Sequence, residues 1–128
     1  MASGESVQKR IQSEVEKYKE LEREKEKAIR SRQQLEAQMT ENTLVKEELD
    51  RLESDSKVYK LIGPVLVPHD LEDARLNVSK RIEYITSEIN RQEATLEAVD
   101  KKRDSQRELL TKMQQQLQQA QVKAAMKA

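Results

Sequence analysis

Few side chains in this sequence could take part in catalysis, and they do not cluster. The 128 residues include one histidine, His69, and no cysteine, and the 24 Asp and Glu residues are spread along charged segments. Catalytic and metal sites need several such groups held together, and the sequence has neither a glycine-rich phosphate loop nor EF-hand spacing. We therefore expect a protein that is not an enzyme, uses no cofactor and no metal, and acts by binding. His69 lies just before a predicted helix, where a role in a turn or helix cap is expected.

The composition indicates a coiled coil and argues against two classes of partner. Charged residues make up 38% of the chain and aromatic residues 2%, which leaves too few large apolar side chains for a thick core. Acidic and basic residues number 24 each, so the basic surplus of a nucleic-acid-binding protein is missing. No apolar run is long enough to span a membrane. Because the first residues, MASGESVQKR, lack the apolar stretch of a signal peptide, we expect a cytoplasmic protein that contacts neither nucleic acid nor membrane.

Residues 5–53 are predicted to form a long helix with a heptad-spaced seam. One set of seam positions is Val7, Glu14, Leu21, Ala28, Leu35, Asn42 and Leu49, and the offset set is Ile11, Tyr18, Lys25, Arg32 and Met39, followed after a one-residue slip by Val45 and Leu52. This spacing is typical of coiled coils, in which polar seam residues weaken pairing but restrict the register. The dense charge of residues 16–30 is expected to be a solvated face with weak pairs along the helix, such as Glu22 with Lys25.

Residues 70–123 are predicted to form a second helix with a more regular seam. Asp70 is expected to cap its start, and Asp73 places negative charge in the first turn. The two seam sets are Leu71, Val78, Ile85, Gln92, Val99, Gln106, Met113 and Ala120, and Ile82, Ile89, Leu96, Arg103, Leu110, Leu117 and Ala124. Because only a short joint connects the two seams, we expect an all-α-dominated fold: a long antiparallel two-helix coiled coil. Residues 114–128 are expected to fray.

The joint, residues 57–68 (KVYKLIGPVLVP), is predicted to be a β-hairpin. β-branched and aromatic residues lie on both sides of Gly63-Pro64, which is a turn signal. Apolar side chains then occupy both faces of the hairpin: Val58, Tyr59, Leu61, Ile62, Val65, Leu66 and Val67. Since an isolated hairpin is marginally stable and its free edges invite pairing, we expect this one to join other chains. An apolar loop tucked against the helices is the alternative.

Three stretches of the sequence resemble β-class prefoldin subunits. They are residues 32–49 (RQQLEAQMTENTLVKEEL), 59–75 (YKLIGPVLVPHDLEDAR) and 78–97 (VSKRIEYITSEINRQEATLE), and a GPVLV segment followed by a helix is rather specific to this class. Subunits of the β class have one hairpin between two helical arms, whereas those of the α class have two. The interval between the predicted helices has room for one. The resemblance implies a single prefoldin-like domain over residues 1–128.

The resemblance also implies a function in protein folding. Prefoldin is a heterohexamer of two α-class and four β-class subunits, whose hairpins form a platform that carries the helical arms. It binds unfolded actin and tubulin without ATP and passes them to the cytosolic group II chaperonin. By this resemblance and from their position, the ends of the two helices would bind clients through Val7, Ile11, Met113, Leu117, Val122 and Met126. Methionine is flexible and suits varied apolar surfaces. Ordinary seam packing is the alternative role for these residues.

A structural coiled-coil tether without client binding is the second hypothesis for the function. A tether needs two helices but no β-rich joint, so the apolar segment at residues 57–68 favours the chaperone subunit. A tether would also be stable as an isolated dimer, whereas a hairpin with two apolar faces needs partner chains.

Overall fold

The computed structural model describes residues 4–127, so the predictions for Met1–Ser3 and Ala128 fall outside the described residues. The elements are helix α1 (Gly4–Arg51), strand β1 (Val58–Ile62), strand β2 (Val65–His69) and helix α2 (Leu71–Lys127). The predicted fold class, two long helices with a hairpin at their joint, is therefore confirmed. The first helix ends at Arg51 instead of Glu53, and the second continues past Lys123.

Most of the predicted seam is shielded from solvent. All seam positions from Val7 to Leu49 in the first set, and from Ile11 to Met39 in the second, are buried or half-buried, as are those of α2 from Leu71 to Leu117. The slip after Asn42 is wrong, because Val45 and Leu52 are 46% and 37% exposed. The helix stays regular to Arg51, so Leu49 remains on the inner face and Leu52 lies beyond the last turn. Ala120 and Ala124 are also exposed.

The chain divides into two compact units: residues 30–93, and residues 1–29 with 94–128. In the unit of residues 30–93, an apolar cluster lies where the hairpin meets the helices. The joint cluster consists of the buried residues Leu49, Leu71, Ala74 and Val78, against which Val58 and Ile82 pack. Ala74 was absent from the predicted seam, although it lies one turn from both Leu71 and Val78 and so shares their face.

In the unit of residues 1–29 and 94–128, polar contacts join the two helices beside buried apolar side chains such as Val99. Gln106 donates a hydrogen bond to the main-chain oxygen of Glu14 at 2.8 Å, and Lys25 pairs with Asp100 at 2.8 Å. Residue numbers therefore rise along α1 as they fall along α2, which confirms the antiparallel pairing. Whether the two units together form one domain, as the sequence predicts, stays a prediction.

The hairpin turn depends on Gly63. The strands pair antiparallel, with Ile62 opposite Val65, so Gly63 and Pro64 form a two-residue loop. Gly63 has φ of 58°, and proline holds φ near about −65°. A type I′ turn needs positive φ at both central residues, whereas type II′ needs it only at the first. The sequence Gly-Pro therefore selects a type II′ turn, whose twist suits a tight hairpin.

Candidate functional site

The candidate functional site is the hairpin together with the helix ends that hold it. Asp70 fixes the passage from β2 into α2: its Oδ1 accepts a hydrogen bond from the main-chain N–H of Asp73 at 3.1 Å. This confirms Asp70 as the N-cap. His69 is the last residue of β2, opposite Val58, and its ring lies 3.4 Å from the side-chain amide of Asn77. The prediction that His69 forms a turn or a cap is wrong, because Asp70 supplies the cap.

Arg75 ties the start of α2 to the end of α1. Its guanidinium donates to the main-chain oxygen of Leu49 at 3.1 and 2.9 Å and to that of Leu52 at 3.0 Å. The last carbonyls of a helix have no partner within the helix, so Arg75 satisfies groups that α1 leaves open. The same side chain pairs with Glu72 at 2.7 Å. The two helix ends from which the hairpin emerges are thereby held together.

The hairpin presents its apolar side chains to solvent. Directly paired residues share a face, so Tyr59 lies beside Pro68 and Leu61 beside Leu66 on one face. All the predicted hairpin residues except Val58 are exposed, from 37% for Val67 to 67% for Leu61: Tyr59, Leu61, Ile62, Val65, Leu66 and Val67. The tucked-loop alternative is therefore wrong. Within the described residues each strand pairs only with the other, so both outer strand edges are open.

An open groove of about 340 Å³ lies between the hairpin and the helices in the unit of residues 30–93. Its lining includes Val45 of α1, Leu61 of β1, and Val78 and Arg81 of α2. Val45 was predicted to be a seam residue, but it lies at the edge of the seam and faces this groove. The groove extends the apolar surface of the hairpin onto the helices.

A polar cluster crosses the seam in the unit of residues 1–29 and 94–128. Arg103 donates hydrogen bonds to Glu22 at 3.1 and 2.6 Å and to the Tyr18 hydroxyl at 3.3 Å, and its guanidinium lies 5.7 Å from the Tyr18 ring centre. Glu22, predicted to pair with Lys25 along α1, bonds Arg103 across the helices, and Lys25 adds only a smaller electrostatic contribution. The pKa of Glu22 is lowered, chiefly because Arg103 donates to its carboxylate, and the pKa of Arg103 is raised by the same contact.

Two further seam contacts stabilise the charged forms of carboxylates. Hydrogen bonds from Gln106, and next from Lys17, lower the pKa of Glu14. A hydrogen bond from Lys25 lowers the pKa of Asp100. Polar seam residues that looked unfavourable in the sequence thus find partners on the opposite helix. Mismatched registers would leave these groups unpaired, so the contacts select one register.

The predicted client-binding residues differ in their access to solvent. Val122 and Met126 are 51% and 82% exposed, whereas Met113 is 7% exposed. Val7, Ile11 and Leu117 are half-buried. The alternative role of seam packing therefore describes Met113, while Val122 and Met126 present free apolar surface.

Two residues of structural importance were not assigned their roles from the sequence. Arg75 was read only as part of a family-like stretch, and Arg103 only as a polar interruption of the seam. The acceptors of Arg75, the main-chain oxygens of Leu49 and Leu52, lie on the other side of the hairpin, so its role could not be found from the sequence. The partner of Arg103 could not be found without the helix register.

Over residues 4–127, no group of three or more Asp, Glu or His side chains is arranged to hold a metal ion. In the same part of the chain, neither helix has a stretch apolar enough to cross a bilayer.

Comparison with known proteins gives one consistent family. A family model described as Prefoldin subunit matches residues 12–123. Prefoldin subunit 6 of Mus musculus is 48% identical over 121 residues, covering 94% of this chain and 95% of its own. Probable prefoldin subunit 6 of Drosophila melanogaster is 45% identical over 121 residues, covering 94% of each chain. These matches confirm the resemblance to prefoldin subunits and show similarity to prefoldin subunit 6.

The fold is likewise similar to a solved structure. The crystal structure of the prefoldin beta subunit from Thermococcus strain KS-1 matches with a TM-score of 0.55 and 21% identity, covering 87% of this chain and 91% of that one. At this identity the match supports the fold alone. The family itself is shown by the family model that matches residues 12–123 and by the relative at 48% identity. This chain belongs to the prefoldin subunit family.

Proposed function

We propose that this chain is a β-class subunit of a heterohexameric, ATP-independent co-chaperone that binds non-native polypeptides and delivers them to the cytosolic group II chaperonin. The observation that carries this proposal is the hairpin, whose apolar side chains are exposed on both faces while its outer edges remain open. Membership of the prefoldin subunit family supports assembly with other prefoldin subunits.

The hairpin supplies the means of assembly. Exposed apolar side chains and unpaired strand edges are both stabilised by the addition of neighbouring strands. A platform of two α-class and four β-class subunits would cover Leu61, Leu66 and their neighbours. The groove beside Val45 and Leu61 lies next to the strands and is available to side chains from an adjacent hairpin.

Arg75 and Asp70 hold the helix ends from which the hairpin emerges. Arg75 bonds two carbonyls at the end of α1, and Asp70 caps the start of α2. Because the helix ends on both sides of the hairpin are held, the hairpin loses less conformational entropy when neighbouring subunits bind, which favours association.

The opposite ends of the helices would receive the client. Val122 and Met126 are exposed, and Met126 can adapt to varied apolar surfaces. Val7, Ile11 and Leu117 are half-buried, so they contribute at the margin of the helix pair, and Met113 contributes only where the pair opens. Weak contacts from several subunits add through multivalency. Unfolded actin and tubulin are the proposed clients, and the cytoplasm is the proposed location.

The experiment that tests this function is co-expression with an α-class prefoldin subunit and other β-class subunits, followed by mass measurement and an actin aggregation assay. We expect the chain to enter a complex of six subunits that suppresses aggregation of unfolded actin without ATP. A stable dimer of the isolated chain that binds no unfolded polypeptide would instead support the tether.

A further inference from the structure

The distal segment of α2, residues 109–127, carries charge of one sign. No Asp or Glu follows Glu108, whereas Lys112, Lys123 and Lys127 lie in this segment. The rest of the chain must then carry the compensating negative charge, because acidic and basic residues number 24 each overall. A chain that is neutral as a whole therefore has a basic end.

The neighbouring turns of α1 do not neutralise this end. The contact between Gln106 and Glu14 sets the register in this unit, so the turns of α1 before Glu14 run beside the distal segment. They contain Glu5, Lys9 and Arg10. These turns supply no surplus of negative charge for the three lysines of α2, because Lys9 offsets Glu5 and Arg10 interacts with Glu14.

The basic residues accompany exposed apolar surface. Every residue from 118 to 127 is exposed, including Val122 at 51% and Met126 at 82%. Lys123 follows Val122, and Lys127 follows Met126. Val122 and Met126, the two most exposed large apolar side chains of the segment, therefore both lie within one helical turn of Lys123.

The stability of the helix explains only part of this distribution of lysines. A cation in the last turn interacts favourably with the helix macrodipole, which explains Lys127. The effect falls off within one turn, so it does not explain Lys112 or the lack of acidic residues over the whole segment. Among the described residues, neither Lys112 nor Lys123 has an ion-pair partner, unlike the many paired lysines and arginines nearer the middle of the helices.

From this juxtaposition we infer that the distal segment selects acidic clients: non-native polypeptides whose exposed apolar stretches are flanked by Asp and Glu. The inference rests on the proposed function and adds the class of client. Val122 and Met126 contact the apolar stretch, and Lys112, Lys123 and Lys127 attract the flanking carboxylates. Exposed charges act over about a Debye length of 8–10 Å at moderate salt, which spans a few residues of an extended client.

The test compares two forms of one unfolded client bound to the assembled hexamer. Reduced, carboxymethylated α-lactalbumin supplies the acidic form, and the same chain with its carboxylates amidated supplies the matched form. The first variant carries K112Q, K123Q and K127Q, since glutamine keeps helix propensity similar to that of lysine. The control variant carries K19Q, K27Q and K102Q, which removes three exposed lysines from the same unit outside the distal segment.

We expect the wild-type hexamer to bind the acidic form more tightly than the amidated form. Three contacts of the size of exposed ion pairs predict about a tenfold rise in Kd for the acidic form in the K112Q/K123Q/K127Q variant. Its Kd for the amidated form should stay within about twofold, and the control should keep the wild-type preference. Raising the salt concentration should reduce the preference of the wild type and leave the variant nearly unaffected.

Five results would overturn the inference. The first is an equal loss of affinity for both client forms in the K112Q/K123Q/K127Q variant. The second is no loss of affinity for either form in that variant. A third is unchanged client binding together with lost binding to vesicles of anionic phospholipid, which would assign the lysines to a membrane surface. A wild-type hexamer that binds both forms equally would overturn the inference alone, whereas one that binds neither would overturn the proposed function as well.

Discussion

The guanidinium of Arg75 donates hydrogen bonds to the main-chain carbonyl of Leu49, from Nε at 3.1 Å and from Nη2 at 2.9 Å. The contact joins the first turns of α2 to the last turn of α1, beside the buried side chains of the joint cluster. The position of the hairpin relative to these two helix ends depends on it. Without donors at position 75, the carbonyl of Leu52 would be left to water, and that of Leu49 would keep only the hydrogen bond from the Leu52 N–H at 3.3 Å.

Replacing Arg75 with methionine should therefore destabilise the joint. Methionine keeps much of the side-chain volume but removes all the donors, and hydrogen bonds involving a charged group contribute about 1–3 kcal/mol. We expect the free energy of unfolding to fall by this amount and amide hydrogen exchange to quicken over residues 49–56. Arg107→Met is the matched control, since the Arg107 side chain makes an exposed contact with Asp104 at 3.9 Å. Equal effects of the two substitutions would contradict the role of Arg75.

Gly63→Ala should weaken the hairpin through backbone conformation alone. Gly63 has φ of 58°, and a Cβ built there meets no atom within 4 Å, so the substitution causes no clash. The left-handed region costs an ordinary residue about 1–2 kcal/mol, and we expect a loss of that size in denaturant unfolding. Gly63→Asn should also weaken the hairpin, because a type II′ turn combines positive φ with ψ near about −120°, outside the left-handed helical region that asparagine tolerates. Wild-type stability of both variants would show that the turn does not need positive φ.

Acid should loosen the helix pair of residues 1–29 and 94–128. The pKa values of Glu14, Glu22 and Asp100 are lowered from 4.5, 4.5 and 3.8, first of all by hydrogen bonds from Gln106, Arg103 and Lys25 respectively. A group with a lowered folded-state pKa stabilises the fold above its ordinary value and loses this contribution as the pH falls through the lowered value. We expect the Tm, followed by circular dichroism, to decrease below about pH 4.5.

The variant Glu22→Gln isolates one part of this pH dependence. Glutamine cannot ionise, so the variant should be less stable than the wild type near neutral pH and should lose less stability on acidification. Glu47→Gln, at an exposed position in the other unit, is the control and should follow the wild-type curve. Identical curves for all three proteins would show that the contact with Arg103 does not contribute.

Arg103 and Glu22 should be energetically coupled across the two helices. A double-mutant cycle of Arg103→Ala and Glu22→Ala measures this coupling, since the two losses of stability should not add. The matched cycle uses Arg23 and Glu20, which pair at 2.9 Å within α1 and are both largely exposed. Such pairs contribute little, so the second cycle should be additive. Additivity in both cycles would contradict a register-selecting role for Arg103.

The apolar periodicity was sufficient to predict both helices, the turn and most of the seam. Spacing of the type Leu71, Val78, Ile85 specifies the inner face whatever the partner is, and Gly63-Pro64 leaves few alternatives to a turn. The slip to Val45 failed because a single apolar residue at the seam edge can face inward or face a neighbouring groove. Periodicity does not distinguish the two.

Contacts between distant residues could not be predicted in the same way. Arg75 with Leu49, and Arg103 with Glu22, join residues on different helices, and each depends on the register at which the helices pair. The sequence presents Arg103 only as a weak seam residue. The partners of Arg75 and Arg103 can be assigned only when the antiparallel register is known.

The central claim is that the exposed hairpin holds this chain in a complex with other prefoldin subunits, and native mass measurement of the co-expressed complex tests it most directly. The variant Leu61→Asp with Val65→Asp places charges on the two faces of the hairpin, and the control Leu44→Asp with Leu109→Asp places them at exposed apolar positions of the helices. The account predicts that the control enters the hexamer, while the hairpin variant is excluded from it and keeps its helical circular dichroism. Incorporation of the hairpin variant at the wild-type level would contradict the account.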